Sequence, residues 1–451
     1  MQIGGRGLLI TFTIPNPRII IMKYLPIDQA LFVHNRANYI QHLQPNSIAV
    51  FHSNDEMPTN ADQFHPWKQS SDLFYLSGID QEETILLIYP DCPNPKYREA
   101  LFLKKTNEHI AIWEGHKYTE EEARAASGIQ TIHWKEDFAG IFGMLMNHAA
   151  NVYLNTNEND RASITVQNRD ARFIQETKSR YPLHQYMRSA PIMAQLRTSK
   201  SLWERDLMQI ACDITNKAFK RVLQFVKPGV MEYELEAEIQ HEFLRNRGTR
   251  PAYGSIIASG PSACVLHYVD NNLRCEDGHL LLMDFGVEYA NYCADLTRTI
   301  PVNGKFTQRQ KDVYNAVLRV QKKAIDMMHI GMILKDFNAE VGKVMESELK
   351  GLGLITDTDI KNQDPEWPAF KKYFMHGTGH FLGLDVHDIG DHFAPVPANA
   401  VLTCEPGIYI REEGIGIRIE NDIMLMPDGS KYDFMRDTPA EVDEIESLMH
   451  S

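Results

Sequence analysis

Residues 280–286 read Leu-Leu-Leu-Met-Asp-Phe-Gly, and residues 292–302 read Tyr-Cys-Ala-Asp-Leu-Thr-Arg-Thr-Ile-Pro-Val. Their apolar and β-branched content predicts a buried strand at His279–Tyr289 and a partner at Tyr292–Val302. Each strand carries one carboxylate, Asp284 and Asp295, eleven residues apart. Aspartate is depleted in strands, and burying an unpaired carboxylate is costly. Two carboxylates on neighbouring strands repel one another unless a cation lies between them. Taken alone, the pair fits a salt-bridge partner or a strand-end residue equally well.

The same units recur on either side. Upstream, Ser201 and Glu204 have the spacing of a capping box, in which hydroxyl and carboxylate satisfy orphan backbone donors. Leu207, Ala211, Ile214, Ala218 and Val222 follow at helical spacing up to Lys227-Pro228-Gly229. A second helix is predicted from Tyr233 to Arg247, ending at Gly248. Downstream, Thr307 and Gln310 cap a helix through Met328, and Asp336–Leu349 forms another, ended by Gly351. Two strand-like stretches come next, Val401–Ile410 and Gly416–Asp422. Helix, helix, strand, strand thus occurs twice with different sequences, which predicts two half-domains around a shared central sheet.

The first half of the chain reads as α/β. Ser47–Ser53, Asp72–Gly78, Thr84–Tyr89, Glu99–Lys105 and Asn151–Thr156 are strand-like, and Asp28–Leu43 is helical. A net charge of −14 over 451 residues argues against a nucleic-acid binder or a partner of anionic membranes. No stretch approaches the apolar length of a membrane span. Six scattered cysteines without metal-site spacing point to reduced thiols in a cytoplasmic protein. Residues 1–21 fit neither a signal peptide nor a helix, being short of apolar length and broken by Pro15 and Pro17. They are expected to be dispensable, with Met22 a candidate start.

The second half supplies acidic residues to match the first. Glu405 stands in Thr-Cys-Glu-Pro-Gly and Glu420 in Gly-Ile-Arg-Ile-Glu-Asn, where Arg418 and Glu420 share one strand face. Between them and the first half lies His376-Gly-Thr-Gly-His380-Phe-Leu-Gly-Leu-Asp-Val-His387. One histidine is ordinarily a core residue, whereas three in a glycine-rich segment point to a site.

This ordered set resembles the pita-bread metallopeptidases, which include methionine aminopeptidase, prolidase and aminopeptidase P. The resemblance implies an α+β protein, with an N-terminal α/β domain (residues 22–190) and a C-terminal pita-bread domain of internal pseudo-twofold repeat (residues 196–451). It implies that Asp284 chelates one metal, that His380 and Glu405 hold another, and that Asp295 and Glu420 bridge the two. Four carboxylates and one imidazole form a hard, oxygen-rich set that favours Mn2+, with cobalt, iron or zinc able to substitute in vitro. Glu405 would also shuttle a proton. His267, in Cys-Val-Leu-His-Tyr, and His387 would contact the scissile amide and the developing oxyanion. His376 would line the pocket, and Arg418 would orient the carboxylates. Their alternative readings are core hydrogen bonding and a plain ion pair.

Trp67–Gly78 and Trp113-Glu114-Gly115 are similar to the aminopeptidase P N-terminal domain. The expected substrate is therefore a peptide with proline in second position, and the expected assembly a homodimer or homotetramer. The alternatives are a prolidase acting on Xaa-Pro dipeptides and a non-catalytic pita-bread binding protein. Loss of metal ligands marks the latter, and all five are present here.

Overall fold

The computed structural model describes residues 22–163 and 165–450, so the expectation about residues 1–21 lies outside the described residues. In the N-terminal region a single sheet runs in the order Thr131–Trp134, Glu99–Leu103, Ile85–Ile88, Ser47–His52, Asn151–Leu154 and Gln185–Arg188. Ser47–His52 pairs antiparallel with Ile85–Ile88 and parallel with Asn151–Leu154. Ala49, Phe51, Leu86 and Leu101 enter one apolar core, while Ile48, Val50, Leu87 and Phe102 enter a second. Both faces of the sheet are thus covered, which is why its four central strands read as largely apolar runs.

One expectation for this region is corrected. Asp72–Gly78 is no strand; Ser71–Ser77 is a short helix. Leu73, Phe74, Tyr75 and Leu76 are all buried, so the run lacks the one-sided pattern that separates helix from strand. Tertiary partners decide it. Asn35 Nδ2 donates to the Tyr75 carbonyl at 2.9 Å and Arg36 Nη1 to that of Leu76 at 2.8 Å, supplying donors that a helix C-terminus lacks. Gly78 closes the helix at φ 68°, a left-handed conformation suited to glycine.

In the C-terminal region both capping boxes form: Ser201 with Glu204 opens helix Leu202–Phe225, and Thr307 with Gln310 opens helix Gln308–Met327. Each is followed by a second helix, Glu232–Arg245 and Leu334–Gly351. The strand regions differ from expectation in one systematic way. Each long strand is broken in two: Leu280–Asp284 and Val287–Tyr289, Tyr292–Cys293 and Thr297–Pro301, Val401–Cys404 and Gly407–Ile410, and Ile415–Arg418 and Asn421–Leu425.

The four breaks coincide with the four carboxylates. Asp284 is the last residue before one break, and Asp295, Glu405 and Glu420 lie within the other three. At Asp295, Glu405 and Glu420 the break releases the residue from the ladder, while Asp284 keeps its pairing with Thr297 at the strand's end. Gly286 makes one break possible, because a Cβ there would sit 1.7 Å from the Ala294 carbonyl oxygen. Glu420 N donates to Thr297 O at 3.1 Å, tying the second half to the first. The internal repeat is therefore also a repeat of interruptions, and it converges on one place.

Candidate metal and catalytic site

Asp295, His380 and Glu420 are all buried, and each presents a ligand atom within 4.8 Å of the others'. The Glu405 carboxylate lies 3.8 Å from His380 Nε2, and Asp295 Oδ2 lies 3.5 Å from the same nitrogen. Asp284 joins through Tyr253, whose hydroxyl donates to Asp284 Oδ1 at 2.5 Å and also reaches Asp295 Oδ1. The five acidic and imidazole residues singled out in the sequence are thus gathered in one place.

Several features fit a cation among these groups. His380 donates its Nδ1 hydrogen to the Phe381 carbonyl at 3.0 Å, so Nε2 keeps a lone pair facing two carboxylates. Histidines that bind metal commonly commit their second ring nitrogen in this way. The Tyr253 hydroxyl has one hydrogen for two carboxylate oxygens. Glu420 is almost fully buried, yet its Oε1 has no hydrogen-bond partner among the described residues. Burial, followed by Asp284, pushes Asp295 well above the usual carboxylate range, and burial with Asp295 and Glu405 does the same to Glu420. Burial likewise raises Glu405 to about 7, against the lowering influence of His380 and Arg418. Such mutual repulsion is what a divalent cation relieves.

Backbone geometry sets these side chains. His380 N donates to Thr403 Oγ1 at 3.1 Å, and Glu405 N to Thr378 O at 2.7 Å. The His-Gly-Thr-Gly-His segment lies against strand Val401–Cys404, and a Cβ on Gly379 would stand 2.1 Å from Thr403 O.

Arg418 is buried and bonds Asp284 Oδ2 at 2.5 Å, Tyr409 Oη at 2.8 Å and Thr297 Oγ1 at 3.1 Å. Thr297 in turn donates to Glu420 Oε2 at 2.6 Å. His376 Nε2 meets Tyr409 Oη at 2.8 Å, and its Nδ1 lies 3.8 Å from Glu405 Oε2. Burial, then Arg418, holds His376 down at about 3. Burial and then His380 lower His387 to about 3. Both imidazoles are neutral at ordinary pH. The His387 ring packs edge-on against His380 at 4.4 Å. His267 is exposed after the turn Gly260–Cys264.

Tyr253, Thr297 and Tyr409 are members of the site that the sequence motifs do not mark. Tyr253 stands in a Pro-Ala-Tyr-Gly loop with no motif around it. Thr297 follows Asp295 by two residues, and its placement opposite Asp284 in the ladder is the available signal.

The pattern of metallopeptidase family M24 matches residues 206–426, and that of the aminopeptidase P N-terminal domain matches residues 32–153. The chain is 33% identical to an Xaa-Pro aminopeptidase of Haemophilus influenzae over 95% of its length and 99% of the relative's. This chain belongs to the aminopeptidase P family of M24 metallopeptidases. An Escherichia coli Xaa-Pro aminopeptidase is 31% identical over 94% of this chain and 98% of its own. Among solved structures, a putative aminopeptidase P from Bacillus anthracis superposes with a TM-score of 0.87 at 30% identity, covering 94% of this chain and 99% of its own. Zinc-substituted E. coli aminopeptidase P in complex with product gives 0.83 at 32% identity, covering 94% and 99%. The chain is accordingly a metal-binding hydrolase with an N-terminal aminopeptidase P domain and a C-terminal pita-bread domain. Among the described residues, no helix is long and apolar enough to cross a membrane.

Proposed function

We propose that the protein removes the N-terminal residue from peptides with proline in second position, using two divalent metal ions, Mn2+ in the cell. The observation that carries this reading is the meeting of Asp284, Asp295, His380, Glu405 and Glu420 at the interruptions of a duplicated sheet. Asp284 would hold one ion, His380 and Glu405 the other, and Asp295 and Glu420 both. The bound pair supplies an activated water and polarises the scissile carbonyl.

The side chains supply the rest. Glu405 would take a proton and return it to the leaving proline nitrogen, which must be protonated to depart. His387, neutral, donates to the oxygen on which negative charge develops, and His267 steadies the peptide from the exposed side. His376, held by Tyr409 and packed edge-on to Phe374 at 4.9 Å, gives the pocket an aromatic wall suited to the proline ring. Arg418 keeps Asp284 in place.

In this reading residues 22–190 and 196–451 are the two domains, and the assembly is a dimer or tetramer. Its location is cytoplasmic, supported by six buried cysteines with free thiols. Metal analysis, together with release of the first residue from an Xaa-Pro-Xaa peptide, tests the proposal. Two ions per chain and proline-dependent release are expected. A metal-loaded protein that leaves such peptides intact overturns it.

A further inference from the structure

His387 sits on a stretch, residues 382–390, with neither helix nor strand. Few ladder hydrogen bonds hold it, so other groups must set the ring's position. They come largely from the other domain. Asn159 Nδ2 donates to the His387 carbonyl at 2.8 Å. Ser71 Oγ donates to Asp385 Oδ1 at 2.9 Å, and Lys68 Nζ to the Leu384 carbonyl at 2.9 Å.

Arg197, on helix Ala190–Thr198 leading out of the N-terminal sheet, completes the frame. One of its amines bonds Asp72 Oδ1 at 2.8 Å; the other bonds Asp385 Oδ2 at 2.8 Å and Asp388 Oδ1 at 2.5 Å. Lys200 Nζ takes the remaining Asp388 oxygen at 3.0 Å. Asp385 and Asp388 flank His387, and Asp388, Arg197 and Lys200 are at least 96% buried at their side chains. In so dry a setting charge-assisted bonds are strong and geometrically exacting.

We infer that Asn159 and Arg197 are positioning residues for His387, Asn159 from the N-terminal domain and Arg197 by tying that domain's Asp72 to Asp385 and Asp388, so that the N-terminal domain helps set the geometry of the reaction rather than only covering the site. This rests on the role given to His387 above. Neither residue touches the metal cluster, and the effect of each runs through the backbone that carries the imidazole. Displacing a reacting group by an ångström costs up to about 10²-fold in rate.

The test is a mutant cycle on the full-length, manganese-loaded protein. Asn159→Ala lies in a loop and removes two bonds, one to the His387 carbonyl and one from the Arg161 amide, without leaving a buried charge. It is expected to lower kcat roughly tenfold, within the range that misplacement of a catalytic group produces, with KM and metal content unchanged. Arg197→Lys keeps the charge but loses the fork, and should slow kcat in the same way. Placed on a His387→Ala background, Asn159→Ala should cause no further loss, because residues that act as a unit are not additive. A wild-type rate for Asn159→Ala, or an additive loss in the double variant, overturns this inference alone. A wild-type rate for His387→Ala overturns the assigned role of His387, and this inference with it.

Discussion

His380 Nε2 faces Asp295 Oδ2 across 3.5 Å while the Nδ1 hydrogen of the same ring is held by the Phe381 carbonyl. A lone pair opposed to a carboxylate is unfavourable without a positive charge between them, so the ring is built to coordinate rather than to donate. The consequence can be measured. Asp295→Ala and Glu420→Ala, each removing a carboxylate assigned to both ions, should bind less than one manganese per chain and lose activity by roughly 10³-fold or more, beyond the loss of a single transition-state donor. Titration of apoprotein with manganese decides it. Either variant retaining two ions would mean that the bridging assignment is wrong.

Tyr253 holds Asp284 and Asp295 from behind. Partners of this kind orient ligands, and losing one typically costs about 10–100-fold in metal affinity. Tyr253→Phe should therefore weaken manganese binding within that range while restoring full turnover at saturating metal. Equal affinities in the variant and the parent would show that the hydroxyl only fills space.

The contrast between legible and illegible residues has a physical origin. Ser201, Glu204, Thr307 and Gln310 announce their helices because a cap is a local contact between residues three apart. The four acidic residues are conspicuous because charge is rare in apolar strands. The interruptions around them are not, since a break at Glu405-Pro406 or Ile419-Glu420 depends on packing against the other half. Ser71–Ser77 reads as a strand because its helical state rests on Asn35 and Arg36, some forty residues away in sequence. Tyr253 has no readable signal at all, as its meaning comes entirely from two carboxylates that fold up against it.

Gly286 carries a prediction about stability. A methyl group there would overlap the Ala294 carbonyl at 1.7 Å, and the neighbour is backbone that cannot rotate away. Gly286→Ala should destabilise by about 3 kcal/mol or more, in the class of forced backbone shifts, and should spoil the geometry of Asp284 and Asp295 together. Thermal unfolding and metal titration read the two effects. An unchanged melting temperature would show that the strands can part at this break.

Acid should loosen the frame around His387. Burial alone would raise Asp385, but Arg197 and Lys68 outweigh it and hold the carboxyl down at about 2. An unfolded aspartate titrates near about 3.9. The folded value is the lower one, so this group contributes stability above about pH 4 and loses it as pH falls toward about 2. Asp385→Asn should be less stable than the parent at neutral pH, and the gap should narrow across that window. Parallel stability curves from pH 5 to pH 2 would remove Asp385 from the acid response.

The last prediction concerns peptide length. A cleft of about 770 Å³ opens beside His387, bounded on one side by Asn155–Ala162 and on the other by Asp385–Phe393. That volume falls in the upper part of the range for sites that enclose small ligands, and its wall mixes polar groups such as Asn157, Asp160, Arg161 and Asp391 with apolar ones such as Pro191, Val386 and Phe393. A dipeptide ends at its proline and has no residue to place there. Peptides that continue past proline would extend into the cleft. Proline itself lacks the amide hydrogen and fixes its own backbone angle, so selection at the second position comes from ring shape and leaves the downstream chain free. The value of kcat/KM should accordingly be higher for Xaa-Pro-Xaa and longer peptides than for an Xaa-Pro dipeptide, under manganese and at equal enzyme. Cleavage confined to the dipeptide would leave the metal chemistry standing and would place the substrate range with the prolidases.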